Sequence, residues 1–445
     1  MTPMDPQPAF HAPNHAAPDC AMPGYAMPGY ALPDYAAPGH QAPNPANAGQ
    51  RSADSPRLLR EINDQVVLRL LLEHGQLTRG RVGELTGLSK PTVSSLLARL
   101  ESRGLVTTTG VVEGGPGPNA RIYAVNSRAA HVVGVHVEQG GCVAGLATLT
   151  GELLTTFSVP VTQRRAATPI GEISAAMDGV LGAAGLDRNA VHRVVVATPG
   201  VIDPATGRLR HARHIRGWEA PGLIAELTDT LEVPVIHGND VNLAAVAEGT
   251  HGVAQNHSDY ALLWLDRGVG LGLVLGGALR AGAHGGAGEI GYLGVPGVET
   301  SRADRGGTGG FQQLVGGQGL KALARKHGVR GAGPASIVSG ALNNNAAGSA
   351  LIAELAAGIA VGAAAVTNLI DPELLVLGGP VALAGGQELL DLVVTHLHQI
   401  SFVRPPVVLS TLTADGVLQG AIEVALQAVR SQLFGQAPTL AGVVG

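Results

Sequence analysis

The stretch TRGRVGELTGLSKPTVSSLLARLESR, residues 78–103, sets the architecture of the amino-terminal region, because it reads as two helices around a glycine turn. The first helix runs from Thr78 to about Thr86 with Val82 and Leu85 turned inward. Gly87-Leu88-Ser89 makes the turn, and the second helix runs from Lys90 to about Arg103 with Val93, Leu96, Leu97 and Leu100 at helical spacing. Ser89 is placed to cap it, and Pro91 sits in the first turn, where a missing N–H does no harm. Thr92, Ser94 and Ser95 fall off the apolar stripe, so the amino end is short, polar and, through Lys90, basic. Such an end can approach base edges and phosphates in a major groove. Ser89, Lys90, Pro91, Thr92, Ser94 and Ser95 are therefore candidate DNA contacts.

A helical hairpin with polar residues is by itself usually a packing unit, so the flanks decide. Upstream, from Arg57, the residues Ile62, Val66 and Leu70 recur at helical spacing. Downstream of Gly104, Leu105-Val106-Thr107-Thr108 and Arg121-Ile122-Tyr123-Ala124-Val125 alternate like two strands around the turn Gly114-Gly115-Pro116-Gly117-Pro118-Asn119. Three helices followed by a Gly/Pro-tipped hairpin make a winged helix-turn-helix over residues 57–128, with Arg121 a further candidate contact beside the wing tip. One reading helix covers a half-site, so a double-stranded operator implies a homodimer or homotetramer.

From residue 129 to 445 strand-like runs alternate with helical stretches: Val132–Val137, Val194–Ala197, Val233–Ile236, Ala261–Leu265 and Leu374–Leu377. This is the α/β pattern. Residues 351–370 are long enough to raise a membrane question, but Glu354 and the dominance of Ala and Gly favour a close-packed buried helix. Residues 1–56 form a Pro/Ala-rich tail with pentads at 21–25, 26–30, 31–35 and 36–40; prolines at that density block helix and ladder, and the segment reads as disordered. A net charge of −5 excludes non-specific polyanion binding by the whole chain, so any DNA contact is local. Cys20 and Cys142 give neither a disulfide framework nor a cysteine zinc site, and the start carries no secretory pattern. A cytoplasmic protein with no membrane partner is expected.

Gly238-Asn239-Asp240-Val241-Asn242-Leu243-Ala244-Ala245, then Gly270-Leu271-Gly272, then Gly282-Ala283-His284-Gly285-Gly286-Ala287-Gly288-Glu289-Ile290-Gly291 resemble the ROK family (repressors, open reading frames and sugar kinases). Pro199–Asp203, Gly217-Trp218-Glu219 and Leu377-Gly378-Gly379 stand in the family's order. The resemblance implies a two-lobed, actin-like (ribonuclease H-like) sugar-kinase fold, with a sugar between the lobes and ATP beside it in kinase members. It implies that Asp240 stands where a kinase's general base takes the sugar hydroxyl proton, and that Asn239 and Glu289 belong to the sugar-binding set, in which His214 takes the place of the family's asparagine before Gly-Trp. Asp240 and Glu289 are alternatively only buried hydrogen-bonding residues. Gly268, Gly270 and Gly272 would let backbone amides approach a phosphate, and Gly378 and Gly379 would lie near the adenosine, as vestigial nucleotide loops.

The departures matter as much. Where kinase members carry an aspartate followed by Gly-Gly-Thr, this chain reads His136-Val137-Glu138-Gln139-Gly140-Gly141, so the metal-supporting carboxylate is gone unless the turn shifts by about two residues. Glu138 would also repel phosphate, on the order of 4 kcal/mol for a pair about 4 Å apart at an effective dielectric of about 20. Tyr292 replaces the family's zinc histidine, residues 292–312 contain no cysteine or histidine, and Gln312 stands for a second sugar-binding glutamate. No zinc and no ATP are expected. The expectation is a DNA-binding regulator responsive to a sugar or sugar phosphate; an active kinase with a DNA-binding head and a constitutive DNA-binding protein with inert lobes are the alternatives.

Overall fold

The computed structural model describes residues 48–112, 120–138, 140–160, 168–203, 208–210, 215, 217–299, 309–343, 346–412 and 415–434. The repeats of the tail, the wing tip Gly114–Asn119, Gln139 and His214 lie outside the described residues.

The head comprises α1 (Ala48–His74), β1 (Gln76–Thr78), α2 (Arg79–Thr86), α3 (Lys90–Ser102), β2 (Val106–Val112) and β3 (Ala120–Val125). Thr78 and Ser89 cap α2 and α3, each accepting a backbone N–H from three residues on, and Gly87 closes α2 in the left-handed conformation at φ 71°. The wing is a three-stranded sheet of order β1-β3-β2. Three expectations are corrected here. The first helix begins at Ala48, not Arg57, and so runs into the stretch read as tail. Its core face carries Asp64, Val67, Leu68 and Leu71, whereas Ile62 and Val66 are each 42% exposed. Leu85, expected inward, is also exposed, and Val82 alone anchors α2.

The first lobe follows with β4 (His131–Glu138), β5 (Gly141–Thr148), β6 (Leu153–Pro160), α4 (Pro169–Ala184), β7 (Val191–Thr198), β8 (Val201–Asp203), β9 (Arg208–Arg210), α5 (Leu223–Leu231), β10 (Val235–Asn239) and α6 (Asp240–Thr250). The second has β11 (Tyr260–Leu265), β12 (Val269–Leu275), β13 (Ala278–Leu279), α7 (Gly310–Val315), α8 (Gly317–His327), α9 (Pro334–Leu342), α10 (Ala346–Ile370), β14 (Leu374–Gly378), α11 (Gly379–Ile400), β15 (Val407–Leu409) and α12 (Gly416–Phe434). Two five-stranded sheets result, ordered β10-β7-β4-β5-β6 and β13-β12-β11-β14-β15.

The period of two along a strand sorts side chains into layers. Val133, Val135, Val194 and Val196 face α4 and α5, while Val132, Val195 and Ala197 face the other way. In the second sheet Leu263, Leu265, Leu375 and Leu377 face α8 to α11, while Leu262 and Val376 join the layer that holds α6 and α12. The helix pair α6 and α12 thus lies between the sheets. Leu68, Leu97 and Leu100 of the head belong to that same central core, and from Pro56 onward head and lobes pack as one unit. Helix α10 is long and apolar enough to cross a membrane, but 67% of its most apolar window is buried, with Leu351, Leu355 and Ile359 fully enclosed.

Candidate nucleic-acid interface and effector cleft

The amino-terminal turn of α3 leaves Ser89, Lys90, Pro91, Thr92 and Ser95 exposed. Their hydroxyls are not equivalent. The Ser89 hydroxyl accepts the Thr92 N–H and lies 2.8 Å from the Thr92 hydroxyl, so it is used in capping. Ser94 is half-buried, donates its one O–H to the Lys90 carbonyl at 2.8 Å and accepts from Arg79 Nη1 at 3.1 Å. Ser94 therefore organises the turn and brings Arg79 to it. Arg79 was not singled out from sequence; its signal was a basic residue one helix back, whose proximity only the crossing of α2 and α3 reveals. Arg121 is exposed on β3, opposite Val111 of β2.

Between the lobes a pocket of about 230 Å³ is lined by Val201, Asp203 and Arg210 from one side and His284, Gly286 and Glu289 from the other. Asp203, the last residue of the Pro199–Asp203 stretch, and Arg210, which no motif marks, form an ion pair across the β8–β9 ribbon. Burial holds the Glu289 carboxyl above its usual range. Asp240, the first residue of α6, accepts its neighbour's N–H from Val241 at 2.8 Å. Burial, then the charges of Glu289 and Asp266, push its pKa up to about 6. Asp266, at the end of β11, is itself raised by burial and by Glu138.

Asn239 holds two segments of backbone. Its Oδ1 accepts the Asn242 N–H at 3.0 Å as the cap of α6, and its Nδ2 donates to the Gly200 carbonyl at 3.0 Å. Both ends of the amide hold backbone. Gln312 is committed likewise: Oε1 accepts from Val269 N and Nε2 donates to the Arg267 carbonyl, each at 2.8 Å, stapling the β11–β12 turn. His237, beside Asn239, is buried, is lowered by burial to about 4, and lies 2.6 Å from the Thr198 hydroxyl.

The glycines divide. Gly268 sits in the open β11–β12 turn, whereas Gly270 and Gly272 lie inside β12, where a Cβ would stand 2.7 Å from the Val241 side chain and 2.5 Å from Ala245. These two permit α6 to press on the sheet. Gly378 caps α11, and Gly379, at φ 86°, passes the backbone of Leu265 so closely that a Cβ would meet its carbonyl at 2.5 Å. At the β4–β5 turn Glu138 pairs in register with Gly141, and a Cβ on Gly141 would lie 2.1 Å from the Val159 carbonyl, so that position admits only glycine. The Glu138 side chain is 62% exposed, so its repulsion of a phosphate is nearer about 1 kcal/mol in high dielectric than the value for a shielded pair. Residues 290–312 offer Tyr292 and neither cysteine nor histidine.

The sequence model of the ROK family matches residues 134–428, and that of the MarR family matches residues 66–115. The DNA-binding transcriptional dual regulator NagC of Escherichia coli (strain K12) is 25% identical over 249 residues, which is 56% of this chain and 61% of that protein. The match thus spans less than two thirds of that relative. A solved ROK family transcriptional regulator, a homologue of the E. coli MLC protein, superposes with a TM-score of 0.68 at 20% identity, covering 86% of this chain and 100% of that one. A ROK family glucokinase from Streptomyces griseus, in complex with glucose and AMPPNP, gives 0.56 at 25% identity, covering 67% and 100%.

Proposed function

The chain belongs to the ROK family, and on that premise we propose that it is a cytoplasmic DNA-binding transcriptional regulator whose lobes sense a sugar or sugar phosphate without phosphorylating it. The observation that carries the reading is the amino-terminal turn of α3: a capped, exposed, basic helix end with Arg79 beside it, on a head that shares a core with the lobes. The DNA-binding relative supports it, as does the glucose held by a glucokinase of the same fold. Paired half-sites call for a homodimer or homotetramer.

A kinase is disfavoured because residues 136–141 lack the metal-supporting aspartate and because Glu138 adds a negative charge where phosphates would lie, so neither zinc nor ATP has a part in the proposed role. Glu289 of the pocket then has a binding role only, accepting sugar hydroxyls, and Asp240, outside the pocket lining but within reach of the Glu289 charge, senses what fills the cleft. A constitutive DNA-binding protein with inert lobes is the second reading, favoured by the commitment of Asn239 and Gln312 to backbone.

Fluorescence anisotropy on the gene's own upstream duplex at one fixed salt concentration, with an unrelated duplex as competitor and sugars and sugar phosphates titrated in, separates the readings. A sugar-dependent shift in affinity supports the sensor; specific binding indifferent to every sugar supports the second reading; sugar-dependent ATP turnover lost in Asp240→Asn would revive the kinase. Lys90→Ala is expected to weaken binding to all duplexes and to reduce the salt slope by about 1, as a lost phosphate contact does. Thr92→Ala or Ser95→Ala is expected to relax base preference by about 1–3 kcal/mol at one position. Unchanged binding by all three variants would move the interface elsewhere.

A further inference from the structure

Arg103, the residue that closes α3, touches three elements at once. Its backbone N–H donates to the Arg99 carbonyl, ending the helix. Its Nη1 stands 3.6 Å from Asp64 of α1, and its Nη2 donates to the Leu433 carbonyl in the last turn of α12 at 3.2 Å. Asp64 is buried and also receives both forks of the Arg99 guanidinium, so α1 and α3 are fixed to each other by one carboxylate. Among the described residues, the bond to Leu433 is the one hydrogen bond by which the Arg103 side chain reaches the lobes.

Helix α12 is well placed to carry a displacement. Its last turns are tied to the first lobe by Arg430 Nε to the Leu149 carbonyl at 3.2 Å and by Arg193 to Gln432 at 3.3 Å. Near its amino end Gly420 meets α6 with no side chain between, since a Cβ there would lie 1.9 Å from the Leu243 carbonyl. Helix α6 begins at Asp240, in the acidic cleft. Backbone against backbone cannot absorb a shift by changing a rotamer, so α6 and α12 move together.

We propose that α12 is the strut between the cleft and the DNA-reading helix, and that Arg103 is the positioning residue through which the end of α12 sets the orientation of α3. The strut deepens the reading of the chain as a DNA-binding sensor and rests on that reading. Coupling between two sites is reciprocal in free energy. If cleft occupancy reaches α3 through α12, then DNA on α3 reaches the start of α6 by the same route, and no effector is needed to see it.

The test is hydrogen exchange on the full chain, alone and with the duplex from its own upstream region, for the wild type, Arg103→Met and Arg103→Lys. Without DNA, Arg103→Met is expected to speed exchange in the last turns of α3 and α12 while leaving the melting temperature close to wild type, because the side chain is about half exposed. With DNA, the wild type is expected to slow exchange at the amino end of α3, at the start of α6 and at the end of α12. Arg103→Met is expected to keep the first of these and lose the other two, with specific affinity about tenfold weaker, the size of one charge-assisted hydrogen bond. Arg103→Lys, a single point charge that cannot span Asp64 and the carbonyl together, should fall between. Unaltered exchange in α3 and α12 of the DNA-free Arg103→Met protein overturns the proposal, and so does a DNA response at α6 that this variant retains. A wild type that ignores the duplex contradicts the DNA-binding reading instead, and leaves the DNA-free comparison as the test of the strut.

Discussion

Gly420→Ala is expected to destabilise the protein by roughly 3 kcal/mol, the upper end of what overpacking costs. In an ordinary helix interior the same change stabilises by up to about 1 kcal/mol, because alanine is the better helix former. The sign reverses because the new Cβ would stand 1.9 Å from the Leu243 carbonyl oxygen and 2.5 Å from its carbon, which are backbone atoms and cannot rotate away. Helices α6 and α12 would have to part, and with them the layer that both sheets and the head share. Gly182→Ala supplies the contrast: it lies in α4, is exposed, and its added Cβ meets nothing within 4 Å. That variant should gain up to about 1 kcal/mol. Urea denaturation reads both as midpoint shifts at constant slope. Equal effects in the two variants would mean that the helices have slack at Gly420.

That crossing also shows where sequence reading stops. Strands such as Val132–Val137 and Ala261–Leu265 were legible because each buries both faces, and a continuous apolar run bounded by turns says so without reference to partners. The cap, stripe and polar end of α3 were legible because helix signals are local. The phase of α1 was not. Ile62, Val66 and Leu70 make a tidy stripe, but the face that packs contains Asp64, a charged residue whose burial depends on Arg99 far along the chain. A polar residue with a distant partner hides the true apolar phase. The same holds in the cleft: Glu289 and Asp240 were found through a motif, whereas Arg210 pairs with Asp203 across a short ribbon, and Asn239 and Gln312 hold backbone segments remote in sequence. Composition says nothing about which end of an amide faces a ligand.

Asp240→Asn is expected to stabilise the protein at neutral pH and to leave it unchanged near pH 4. The carboxyl is partly buried at the start of α6, and lost hydration with the charges of Glu289 and Asp266 pushes its pKa from 3.8 to about 6. A raised acid binds its proton more tightly in the native state than in the unfolded chain, so its contribution to stability is full below the unfolded pKa. It is lost as the pH climbs from about 4 through about 6, where the unfolded chain has ionised and the folded one is made to follow. Above that the loss is constant, about 2 kcal/mol once a residual accessible edge is allowed for. Asparagine removes the ionisation but keeps an Oδ1 to accept the Val241 N–H, so the local turn survives. Thermal or urea stability followed from pH 4 to pH 8 should fall in the wild type relative to the variant across that window and then run parallel. A constant offset at every pH would assign the effect to packing instead. The consequence for function follows from the same charge: whatever fills the cleft with a hydrogen-bond acceptor near Asp240 favours the protonated acid, and a donor favours the carboxylate. Effector affinity should therefore change with pH around 6 in the wild type and lose that dependence in Asp240→Asn.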